Sequence, residues 1–111
     1  MTKEEYLAKM KANVEEKERE REERYRRKQE NYASQAITRI IERIEKADPQ
    51  QTYVVGEEET KWLSDSEIFN KKLYELRKKY DFLDIHINTK KYLGSPNEIR
   101  SVSWHVKEDG E

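Results

Sequence analysis

The apolar positions of this chain fall into distinct patterns separated by polar stretches, and these patterns predict its elements. Leu7, Met10 and Val14 recur at i, i+3 and i+7, a short helical stripe. Residues 15–24, EEKEREREER, then carry no apolar side chain. From Ala33 a broad stripe resumes through Ile37, Ile40, Ile41, Ile44 and Ala47, with Tyr25 and Tyr32 extending it toward the N-terminus. No glycine or proline interrupts residues 2–48, and Thr2-Lys3-Glu4-Glu5 is a capping box. Asp48-Pro49 is a stop, because a residue before proline is driven out of the helical region. These signals predict one helix over residues 3–47, about 65–70 Å long at 1.5 Å per residue. Its middle is polar all round and is held by Glu-to-Arg pairs at i,i+4: Glu15–Arg19, Glu20–Arg24, Glu22–Arg26 and Glu23–Arg27.

The second half alternates between the two periods. Thr52-Tyr53-Val54-Val55, ended by Gly56, predicts a strand, and Glu57-Glu58-Glu59-Thr60 a loop. Ser64-Asp65-Ser66-Glu67 offers a second capping box, followed by Ile68, Phe69, Leu73, Leu76 and Tyr80 at helical spacing, so a helix is predicted over residues 65–80. Leu83, Ile85 and Ile87 alternate with Asp84, His86 and Asn88. Val102, Trp104 and Val106 alternate with Ser101, Ser103 and His105. Pairing Ile87 with Val102, Ile85 with Trp104 and Leu83 with Val106 puts the apolar residues on one face and centres the hairpin on Gly94-Ser95-Pro96-Asn97. The predicted class is therefore α+β: a long N-terminal α-helix followed by β-α-β-β, a three-stranded sheet with helices packed on one face. Residues 1–32 form an extended charged arm and residues 33–111 a small head.

Composition sharpens this division. With 42% charged and 33% hydrophobic residues, the 111-residue chain holds more charge than one core can accommodate. The charges nearly cancel, 23 basic against 24 acidic, with no basic arm or acidic tail. There is no cysteine, hence no disulfide or thiolate metal site, and no apolar run of membrane-spanning length. The expectation is a cytoplasmic protein with no membrane partner.

Three groups of side chains are candidates for function. Tyr6, Leu7, Met10, Val14 and Tyr25 are anchors by which the arm would enter a partner's groove. Lys71, Lys72, Arg77, Lys78 and Lys79, with Lys90, Lys91 and Tyr92, are candidate nucleic-acid contacts, although the pI near 6.2 opposes a broad electrostatic footprint. The inferred register gathers Asp84, His86, Asn88, Ser101, Ser103 and His105 on one polar sheet face. Serine, histidine and aspartate there lack a pocket or an oxyanion site, so no catalytic residue is assigned. Asp84, His86 and His105 are metal-ligand types at a sequence spacing that matches no known ligand pattern, so neither metal nor cofactor is expected.

Being short, cysteine-free and rich in Lys, Glu, Asn and Tyr, the chain resembles in composition the small accessory proteins of bacterial viruses and mobile elements. That resemblance implies a protein that binds and inhibits a host machine. The expected function is a non-enzymatic protein-interaction module, an inhibitor or adaptor for a larger protein or nucleoprotein. The alternative is a nucleic-acid-binding regulator. Homodimerisation through the Ile37–Ile44 or Leu7–Val14 stripe is also expected.

Overall fold

A computed structural model describes residues 1–90 and 98–108. The first helix, α1 (Lys3–Glu45), is a single rod, started by Thr2, whose hydroxyl accepts from the Glu5 amide at 3.2 Å. It stops two residues before the predicted end. The Asp48 amide donates to Arg43 O and the Ala47 amide to Ile44 O, each at 3.0 Å, the paired bonds of a Schellman cap. Ala47 occupies the left-handed position of that cap at φ 49°, so it lies outside the helical stripe and is exposed. After α1 come β1 (Thr52–Val54), α2 (Glu57–Leu63), α3 (Glu67–Lys79), β2 (Leu83–Lys90) and β3 (Glu98–Val106).

The three strands form an antiparallel sheet in the order β1-β3-β2. Leu83 pairs with Val106, Ile85 with Trp104 and Ile87 with Val102, as the alternation predicts. The hairpin turn, with Lys91 and Tyr92, lies outside the described residues. A register shift at Asn88/Thr89 makes the β2–β3 pairing step over Arg100: Asn88 faces Ser101 and Thr89 faces Ile99. This bulge changes the parity of β3. Strict alternation from Val102 would turn Ile99 to solvent, whereas Ile99 is 5% exposed and belongs to the core.

Residues 57–60, predicted as a loop, are the start of α2. Two turns are too short to show a period, but Glu57, Glu58 and Glu59 sit in the first turn, where the helix dipole favours acids. Glu59 also accepts from the Gly56 amide at 3.3 Å. Ser64 is likewise not the cap of α3. Ser66, fully buried, accepts from the Phe69 amide at 3.2 Å, while Ser64 Oγ accepts from the Ile99 amide at 3.1 Å. Thr60 donates to Ile99 O at 2.7 Å, so both backbone groups of Ile99 are met by the α2 segment.

One face of the sheet receives the helices. Ala33, Ala36 and Ile40 of α1, Leu63 of α2 and Phe69, Leu73 and Leu76 of α3 are buried with Tyr53, Val55, Leu83, Ile85, Ile99, Val102 and Trp104 of the sheet layer. The apolar stripe of α1 is thereby divided: Ile40 is fully buried, and Ile37, Ile41 and Ile44 are half-buried at its edge. Polar bonds lock the helices to the strands. Tyr53 donates to Glu59 at 2.6 Å and accepts from Arg39 at 3.2 Å, and Arg43 donates to Thr52 O. Trp104 directs its amide to Gln51 O at 3.1 Å, away from β2. The Ile85–Trp104 pair is thus a non-hydrogen-bonded pair, and the Ile85 carbonyl points out of the sheet edge, where Arg77 Nε donates to it at 3.2 Å.

Tyr80 closes the far end by donating to the Glu45 carboxylate, which pushes its phenol up to about 12, with burial and the Glu45 charge adding in the same direction. Tyr53 is raised chiefly by burial and Tyr32 chiefly by its hydrogen bond to Glu58. A phenol that binds its proton more tightly when folded stabilises the fold below its unfolded pKa, and that stability is lost as pH rises through the folded one. Melting temperature is therefore expected to fall between about pH 10 and 12. Tyr80→Phe should make this fall shallower, and a superimposable pH profile would contradict the Tyr80–Glu45 contact.

Candidate functional site

Three surfaces stand out, and the first is the arm. Every residue from 1 to 28 is exposed, and Gln29 is the first that is half-buried. The uncontacted part of α1 extends the molecule to 74 Å along its longest axis, against 32 and 25 Å across. Tyr6, Leu7, Met10 and Val14 are each about half exposed on it, and among the described residues none of them belongs to the core or to the hydrophobics packed against it. Of the Glu-to-Arg pairs read along the helix, Glu20–Arg24 approaches to 3.9 Å.

Tyr25 behaves differently from the other arm residues. Its ring lies 5.2 Å from that of Trp62 on α2, and Tyr32 stacks on the same indole at 6.1 Å and 6°. Lys28 and Lys61 place their ammonium groups 5.1 and 5.2 Å from the Trp62 ring centre. Seven-residue spacing puts Tyr25 and Tyr32 on one helix face, which was visible in the sequence. Their target was not, because Trp62 lay in no predicted element. Tyr25 therefore marks where the head begins to hold α1.

The candidate nucleic-acid residues do not form an uninterrupted cationic surface. Lys72 and Lys79 line a shallow groove between α1 and α3 together with Glu75, Ile37, Ile41 and Leu76. Lys71 and Lys72 share the next hollow along α3 with Glu30, Glu67 and Glu75. Lys78 lies over Tyr74 at 4.5 Å and Lys79 over Tyr80 at 5.3 Å. Arg77 is engaged with the Ile85 carbonyl, and Lys90 pairs across the hairpin with Glu98.

The polar sheet face assembles as its register predicts. Asp84 lies opposite His105, His86 opposite Ser103 and Asn88 opposite Ser101, while Thr52 and Val54 of β1 continue the face beyond β3. Asp84 Oδ2 is 3.1 Å from His86 Nε2 and 3.6 Å from His105 Nε2. The two imidazoles are stacked with centroids 5.3 Å apart and planes at 22°. Asn88 donates to both Ser101 and Ser103 hydroxyls at 3.0 Å. Among the described residues, no hydrogen bond joins Ser103 to a histidine, so this geometry supplies the serine with no base.

No protein-family model, curated protein or solved structure matches the chain. The described helices include none long and apolar enough to cross a membrane.

Proposed function

We propose that the protein is a non-enzymatic interaction module, an accessory protein of the phage or mobile-element type that acts in the cytoplasm as an inhibitor or adaptor on a larger macromolecule. The observation that carries this reading is the exposed stripe of Tyr6, Leu7, Met10 and Val14 on a helix segment that lies outside the core cluster of the described residues. An amphipathic stripe whose anchors recur at i, i+3 and i+7 suits insertion into an apolar groove. The flanking residues 15–24 alternate in sign, which suits a partner of mixed charge rather than a polyanion.

The test is capture from the native host with the full chain and with a Leu7→Asp/Met10→Asp variant. A partner retained by the native chain and reduced at least tenfold by the variant, at an unchanged melting temperature, is the expected result. Equal recovery by both chains, or recovery of nothing by either, overturns the reading. Retention on DNA or RNA that falls steeply with salt would also overturn it and transfer the role to Lys71, Lys72, Lys78 and Lys79.

A further inference from the structure

We propose that Asp84, His86 and His105 form a binding site for a divalent transition-metal ion of the zinc type, bridging β2 and β3 on the open face of the sheet. Their ligand atoms all lie within 4.8 Å of one another. Both imidazoles direct Nε2 toward the same carboxylate oxygen, at 3.1 and 3.6 Å. Four ligands about 2.0–2.2 Å from a tetrahedral zinc ion are separated from each other by about 3.3–3.5 Å. The two separations to the carboxylate bracket that edge, and drawing the remaining span, at most 4.8 Å, onto one ion takes a rotation of the imidazole side chains.

The spacing that excluded a metal in the sequence is replaced here by register. Asp84 and His86 are two apart on one strand and share its face, and the β2–β3 pairing sets His105 directly opposite Asp84. Strands locked by a backbone ladder hold the ligands with little further ordering cost on binding. The rings are stacked with centroids 5.3 Å apart, and both present Nε2 to Asp84 Oδ2. Two imidazole nitrogens with one carboxylate suit zinc, nickel or copper, whereas magnesium and calcium favour all-oxygen sets. The side chains are between a third and a half exposed, so an ion can enter from solvent and water can complete its coordination. The site stands independently of the arm.

Zinc chloride titrated into the metal-free full-length chain is the direct test, followed by calorimetry and by the imidazole proton resonances of His86 and His105. One ion per chain is expected, with both histidines perturbed. His86→Ala, His105→Ala and Asp84→Asn should each weaken binding at least tenfold, whereas Asp81→Asn, at an exposed turn residue between α3 and β2 outside the cluster, should leave it unchanged. Because the ion binds the paired strands and not the unfolded chain, zinc should raise the melting temperature of the native protein and not of the His86→Ala/His105→Ala variant. No binding at millimolar zinc, or binding retained by that double variant, overturns the proposal and leaves a polar cluster of two imidazoles and a carboxylate.

Discussion

Ile40→Asp is expected to abolish the folded head. Ile40 is fully enclosed where α1 crosses the core, so a carboxylate placed there has no water to meet it. Burying such a group costs about 4 kcal/mol or more even after it neutralises itself, on top of the lost Ile packing. A domain has only about 5–15 kcal/mol in total. Urea titration followed by circular dichroism and Trp fluorescence should show no cooperative head transition. A variant that unfolded like the native chain would mean that α1 does not seat on the sheet. The same burial sharpens the expectation of dimerisation, because Ile40 is committed within its own chain. Half-buried Ile37 and Ile41, in the groove beside Lys72 and Lys79, are what the stripe still offers a second copy.

Phe69→Ala should destabilise the head by about 3–5 kcal/mol, the usual cost of emptying a large buried side chain whose surroundings cannot fully collapse. Phe69 is completely buried in α3, one turn after the Ser66 cap. Leu7→Ala, also an apolar truncation in a helix, should change stability by no more than about 0.5 kcal/mol, since Leu7 is 51% exposed on the uncontacted arm. Equilibrium urea unfolding of both variants measures the contrast. Similar losses would mean that the arm is packed in solution, and would remove the basis for its role as a partner-binding element.

Much of the fold was legible because its elements are long enough to repeat a pattern. A 43-residue helix without glycine or proline and an eight-residue strand facing a nine-residue one each carry several periods, and their apolar sets agree on a single register. Short or irregular features were less legible. In α2, seven residues with three leading acids show no stripe. The bulge opposite Asn88/Thr89 shifts parity without a glycine to mark it, which concealed Ile99 in the core. Ser64 and Ser66 are equivalent as caps by type. Contact with the Ile99 backbone, 35 residues away, takes Ser64 and leaves Ser66 to start α3.

The candidate sites divide in the same way. That Leu7, Met10 and Val14 share a face, and that Asp84, His86 and His105 do, follows from helix and strand periods alone, because local geometry sets which side chains point together. Which face is left open is a matter of what packs against it, and only the tertiary structure decides that. The head's contact with α1 ends at Tyr25, and the helices cover the opposite side of the sheet from the histidines. Convergence of two imidazoles on one oxygen likewise depends on side-chain orientation across strands about 20 residues apart in the chain, to which a period of two or 3.6 is blind.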